Sequence, residues 1–312
     1  MKQAALFIIA ILLGCSGPVK ESNESINHFQ GISLLGDSLY TPVYEKARKA
    51  KLDSNLNKAL HHWQCDPSEM TAIWYGRRTA YLGDYRKAIE IYTQALRQFP
   101  GSYKLYRHRG HRYITLRQFD RAVEDLEKAA RLMPGDTLEI EPDGIPNAQN
   151  IPLSSTQFNV WYHLGLAHYL RNDLEQAEKA YLKCMEVSVN DDLLCATADW
   201  LYMTLRRLGK EQEAAALLDT LPHKMNIIEN DAYFKRLGMY KGDLPADSLL
   251  SVGLGNPDPG LAIATQGYGV GNWHHYNGDT AKAKMILQMV LDGRHWAAFG
   301  FIAAEADMAR WE

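Results

Sequence analysis

Residues 69–136 read EMTAIWYGRRTAYLGDYRKAIEIYTQALRQFPGS and then YKLYRHRGHRYITLRQFDRAVEDLEKAARLMPGD. The two halves align without a gap. Gly76 pairs with Gly110, Ala88 with Ala122, Ala95 with Ala129 and Pro100 with Pro134, each at a separation of 34 residues. A fixed period of this length marks a repeat architecture, in which each unit buries its apolar face against the next. The repeated positions say what the unit is. A glycine at the eighth place and an alanine at the twentieth let two helices approach closely, and Tyr92 or Leu126 fills the space that is left. Pro100 and Pro134 close the second helices, because proline disfavours helix at the residue before it.

These residues and their spacing resemble tetratricopeptide repeat (TPR) units, covering 69–102 and 103–136. The resemblance implies an all-α fold, a TPR-type right-handed superhelical array of antiparallel helix pairs. A third unit follows an insertion of 21 residues, with Trp161, Leu164, Gly165, Asp173, Ala177 and Tyr181 in register. A fourth, marked by Leu201, Gly209, Ala214 and Pro222, has Tyr202 where the glycine is expected. These two units occupy 158–222. The segment 264–312 reads as a C-terminal TPR-like unit (Gly271, Gly278, Asp279, Ala283, Leu287) and a capping helix from His295 to Arg310. Residues 28–68 read as N-terminal capping helices, with Thr41-Pro42 as a helix start and Leu56, Ala59, Leu60 and Trp63 at helical spacing. Residues 223–263 read as a divergent helical segment with one helix from Asn230 to Tyr240. No stretch reads as a strand.

The chain of 312 residues opens with Lys2 and an apolar run from Ala4 to Leu13. That run is too short to span a bilayer but suits a signal peptide. It ends in Leu12-Leu13-Gly14-Cys15, which resembles the lipobox of bacterial lipoproteins. The resemblance implies a signal peptide over 1–14, lipidation at Cys15, a flexible tether over 15–27, and a place in the cell envelope, at the outer membrane. Acyl chains would then supply the membrane affinity. Apolar residues make up 46% and charged residues 23%, with a net charge of −3. A core is therefore affordable, and no global charge favours nucleic acid. Cys65, Cys184 and Cys195 form no disulfide framework; Cys184 and Cys195 read as small buried residues, with a bridge as the alternative.

In TPR proteins the first helix of each unit lines the concave groove. The resemblance therefore implies partner binding by Arg77, Tyr81, Lys104, Arg107, His111, Tyr162 and Tyr169. From Gly76 to Arg112 nine Lys or Arg face only Asp84 and Glu90, a local balance of +7. Such a groove focuses positive potential on an acidic peptide, a phosphate or an anionic sugar. The insertion, residues 137–157, carries Glu139, Glu141 and Asp143; it reads either as a solvated loop or, from the opposite charge, as a segment folded over the groove as a competitor for ligand. Arg109, at a normally apolar place, is expected either to snorkel outward or to pair with Glu124 or Asp125. His61-His62 and His274-His275 lack chelating spacing and no cofactor or metal motif is present, so neither cofactor nor metal is expected. The function expected is a non-catalytic scaffold holding a protein or peptide partner, acidic segments included. The alternatives are a glycan or small-anion receptor, with Trp74, Tyr162 and Trp273 as platforms, and an enzyme with an Arg/His site in the groove.

Overall fold

The 34-residue period is realised as stacked helix pairs in the computed structural model, which describes residues 27–135, 137–251 and 258–311. The readings at 1–14, at Cys15 and for nearly all of the tether lie outside these residues. The first pair is α2 (Glu69–Tyr81) with α3 (Tyr85–Gln98), the second α4 (Tyr103–Thr115) with α5 (Phe119–Leu132). Their starts are encoded locally. The Ser68 and Ser102 hydroxyls and the Asp84 carboxylate each accept the backbone N–H three residues on, satisfying a donor that has no partner inside the helix. The close approach falls where the repeat places it. A Cβ on Gly76 would stand 2.2 Å from the Tyr92 ring, and one on Gly165 would stand 2.6 Å from that of Tyr181.

The third pair, α6 (Thr156–Arg171) with α7 (Leu174–Glu186), and the fourth, α8 (Asp191–Arg207) with α9 (Glu211–Thr220), continue the stack. A single helix α10 (Asp231–Tyr240) follows, as the sequence suggested, and then a short 3-10 turn at Ala246–Leu250. The last pair is α11 (Pro259–Tyr276) with α12 (Thr280–Leu291), and α13 (Phe299–Trp311) ends the described chain. The fold is the all-α, TPR-type array.

Two expectations need correction. Residues 28–45 are not helical. Phe29–Ile32 (β1) and Ser38–Tyr40 (β2) form an antiparallel hairpin, and only α1 (Lys46–Cys65) of the expected capping helices is present. The turn is built by Ser33, whose hydroxyl accepts the N–H groups of Leu35 and Asp37, and by Gly36 at φ +92°, a region glycine enters at little cost. The hairpin docks because Gln30 reaches the first repeat, accepting the Arg86 N–H at 3.1 Å.

The end of the chain is also not a simple outer cap. α13 folds back against α6, α11 and α12, and its residues from Gly300 to Asp307 are buried. Glu305 is 1% exposed and accepts from Arg117 Nε and Nη2 at 2.9 and 2.6 Å and from the Leu34 N–H at 2.6 Å. Asp307 accepts from Arg207 at 2.8 Å and from the Tyr268 hydroxyl at 3.0 Å. One helix thus ties the second repeat, the fourth repeat and the hairpin together. Buried carboxylates are tolerated only when paired in this way. Cys184 and Cys195 are separate buried thiols; burial pushes the Cys184 thiol up to about 12.

Candidate functional site

Of the basic run, Arg86, Lys87 and Arg97 lie on α3, and the insertion lies across Arg77 and Arg78 of α2 and Lys104 and Arg107 of α4. Glu141, one of the buried carboxylates, has Oε1 at 3.2 Å from Arg107 Nη2 and at 3.7 Å from both Arg77 Nη1 and His108 Nε2. Its Oε2 accepts from Asn159 Nδ2 at 3.1 Å. Two residues before it, Glu139 pairs with Lys104 at 2.7 Å. Backbone carbonyls complete the docking: Arg77 donates to Pro142 O at 2.8 Å, and Arg78 to Gly144 O at 2.9 Å. Gly144 packs so tightly that a Cβ there would lie 1.7 Å from the Tyr81 hydroxyl. The segment is extended, with Glu141 N–H donating to Ser154 O and Thr156 N–H to Glu139 O. Farther on, Asn147 Nδ2 donates to Glu229 and Asn190 Nδ2 to Leu153 O, so the insertion spans from the first repeat toward α8 and α10.

Electrostatics follow from this burial. Lys104, and after it the Tyr103 hydroxyl, hold the Glu139 carboxyl below its ordinary value. Burial lowers Arg107, and Glu141 opposes that fall. His108, His111 and His163 are all held well below 6.5, first by burial and then by the neighbouring guanidiniums. The geometry agrees. Arg107 Nη1 stands 2.8 Å from His108 Nδ1, and Arg112 Nη2 stands 2.6 Å from His111 Nδ1. A guanidinium only donates, so both rings accept at Nδ1 and are neutral. His111 in turn lies 4.2 Å from the His163 ring centroid.

Of the residues expected to line the groove, Arg77, Tyr81, Lys104 and Arg107 do converge, beneath the insertion. His111 lies deeper along α4. Tyr162 and Tyr169 do not line an open groove: they are 6% and 1% exposed. Tyr169 is bonded to Tyr268, Asn272 and Arg207 at 2.7, 3.1 and 3.2 Å, and Tyr162 stacks on Phe158. The reason is long-range: α11 and α13 fill the concavity that an open array would leave in front of α6. Two of the three glycan platforms are likewise engaged. Trp74 carries the guanidiniums of Arg77 and Arg78 over its ring, and Tyr162 is buried. Arg109 makes the expected pair with Asp125, two bonds of 2.7 Å.

The sequence did not show a second feature, a partly open cavity of about 550 Å³. It lies between α4, α8, α10 and the start of α13, with Ile145 of the insertion at its edge. No pattern could have revealed it, because its walls come from helices far apart in sequence. Among the described residues, no group of three or more His, Cys, Asp or Glu could hold a metal ion, and no helix is long and apolar enough to cross a membrane.

Comparison with known proteins agrees with this architecture. Models of the tetratricopeptide repeat match residues 76–137 and 158–189. The small glutamine-rich tetratricopeptide repeat-containing protein 2 of Saccharomyces cerevisiae is 27% identical over 194 residues, 61% of this chain and 48% of that protein. BBSome complex member BBS4 of Bos taurus is 26% identical over 168 residues, 52% of this chain and 28% of that protein. The chain thus spans less than half the length of these relatives. Among solved structures, a tetratricopeptide repeat protein from Parabacteroides merdae aligns with 84% of this chain and 94% of its own at 12% identity and a TM-score of 0.48. YrrB, a TPR protein with an unusual peptide-binding site, aligns with 78% of this chain and 95% of its own at 17% identity and a TM-score of 0.41.

Proposed function

We propose that this protein is a non-catalytic interaction scaffold of the cell envelope, recognising an acidic segment of a partner protein through the groove of α2 and α4. One observation carries the reading: the groove already holds an acidic, extended segment of the chain itself. Glu139 on Lys104, Glu141 between Arg77 and Arg107, and the carbonyls of Pro142 and Gly144 on Arg77 and Arg78 are contacts that a partner strand of similar sequence could make instead. Tetratricopeptide repeats, matched here in two stretches, serve protein–protein interaction. The insertion then acts as an internal competitor, so that the groove is available only to a partner that outbids it.

The envelope location rests on the sequence of residues 2–15, whose charge, apolar run and Cys15 support a lipid anchor. Replacing Cys15→Ser and labelling cells with a palmitate analogue tests this: label and membrane association are expected to vanish together, and retention of both overturns the anchor. The groove is tested by replacing residues 139–144 with a Gly/Ser linker and measuring binding of a peptide of sequence Thr-Leu-Glu-Ile-Glu-Pro-Asp-Gly. The linker variant is expected to bind, and the added pair Arg77→Ala, Lys104→Ala to abolish binding. A linker variant that is folded and does not bind the peptide overturns the groove assignment.

A further inference from the structure

The partly open cavity beside α4, α8, α10, α11 and the start of α13 is separate from the groove that the insertion fills, and its chemistry differs. Arg112 enters its wall from α4. Its guanidinium donates to His111 and lies 5.4 Å from the Tyr85 ring centroid. Among the described residues no carboxylate stands within ion-pairing distance of it. The other arginine of the wall, Arg236, is matched by Asp199, which also accepts from the Tyr240 hydroxyl at 3.0 Å. Glu141 is held by Arg107 and Arg77. Of the two arginines in the lining, Arg112 alone is unmatched, so the lining with Asp199 carries about one net positive charge.

Further donors stand where α13 begins. Ala298, Phe299 and Gly300 line the cavity as α13 begins, and the N–H groups of Phe299, Gly300 and Phe301 have no acceptor among the described residues. A helix start of this kind favours negative charge. Trp200, 1% exposed, adds an edge of its ring to the wall. Apart from His111 and Thr265, the rest of the wall is apolar or aromatic, with Leu261, Phe299, Ile145 and the Tyr233 ring its larger members. The volume falls within the range of small-molecule sites, roughly 300 to 1,000 Å³.

We propose that this cavity binds a small organic acid, a single carboxylate on an apolar or aromatic body, with the carboxylate on Arg112 and the start of α13. The single unmatched guanidinium selects a monoanion, and planar donors suit a carboxylate. The apolar wall selects the body. This site stands apart from the partner groove, and either assignment can fail without the other.

The test is calorimetric titration of the full chain with 3-phenylpropionate, 4-methylpentanoate and indole-3-acetate, each beside its neutral amide. At least one acid is expected to bind saturably and at least tenfold more tightly than its amide. Arg112→Gln is expected to weaken that acid at least tenfold and leave the amide unchanged. Because Arg112 also contacts Tyr85 and His111, Thr265→Glu serves as a second variant: it adds a negative charge on the α11 wall without touching Arg112, and is expected to weaken the acid to the same extent. Failure of all three acids to bind, equal binding of acid and amide, or acid binding unchanged in both folded variants overturns the proposal. Tighter binding of an acetylated tripeptide ending in Phe than of any acid also overturns it, in favour of a peptide terminus.

Discussion

Glu141→Gln separates a brace from a competitor. The side chain is 10% exposed and stands against Arg107, itself 8% exposed at the side chain. Removing the charge leaves Arg107 and Arg77 without their shared carboxylate. Breaking a buried pair on one side costs about 3–5 kcal/mol. The contacts here, 3.2 and 3.7 Å, are longer than the tightest charge-assisted bonds, which argues for the lower end, about 3 kcal/mol. If the loss is global, Tm falls by about 6–12 °C, from roughly 2–4 °C per kcal/mol for domains of comparable size. If the insertion lets go instead, the groove is uncovered. An opening free energy lowered by about 3 kcal/mol strengthens apparent binding by at most about 150-fold, since every 1.4 kcal/mol is tenfold. The assay is fluorescence anisotropy of the labelled Thr-Leu-Glu-Ile-Glu-Pro-Asp-Gly peptide, with hydrogen exchange at the Glu141 and Thr156 amides, whose acceptors lie across the segment at 2.9 and 2.8 Å. The competitor reading expects faster exchange at both amides and tighter peptide binding. A fall in Tm with peptide affinity unchanged would refute it and leave the insertion as a structural brace.

Three further outcomes follow from the same geometry. Gly144→Val forces a side chain into the space held by Tyr81 and Arg77. It is expected to lift the insertion at a cost of about 1–3 kcal/mol and to raise peptide affinity with every charge intact; unchanged exchange at Thr156 counts against the close packing. Glu305→Ala strands the Arg117 guanidinium, 2% exposed at the side chain, and the Leu34 N–H, so a loss of about 3–5 kcal/mol in urea unfolding is expected. If the loss is under about 1 kcal/mol, α13 does not latch the second repeat and the hairpin. Finally, His108, His111 and His163 are held well below 6.5 in the fold, so below pH 6.5 the unfolded chain binds more protons than the folded one. Stability is then full above 6.5 and lost as pH falls, by up to about 4 kcal/mol between pH 7.5 and 5.5 for three such groups; equal stability at the two pH values means the rings titrate freely.

The repeat was legible because its signal is local and periodic. Gly76 needs no partner outside its own unit: it faces Tyr92, sixteen residues on, and the same offset recurs at Gly110 and Gly165. The α10 helix after Asn230 and the Arg109–Asp125 pair are short-range in the same sense. The insertion was legible as a charge contrast with the run before it, and the structure supplied the contacts.

What the sequence could not convey depends on which surfaces meet across the chain. Tyr162 and Tyr169 occupy groove positions by their place in the repeat, and only the return of α11 and α13 turns them into core. Arg117 and Glu305 lie 188 residues apart, and neither residue bears a local mark of the other. The hairpin at Phe29–Tyr40 is too short to show an alternation, and its place is set by Gln30 meeting the start of α3. The cavity at Arg112, which has no carboxylate partner among the described residues, is likewise a property of helices meeting in space. Periodicity determined the helix pairs and their order, because each buries its face against its neighbour in sequence. Tertiary closure decided which of those faces stay open to a ligand, because burial at a distance leaves no imprint on the local pattern.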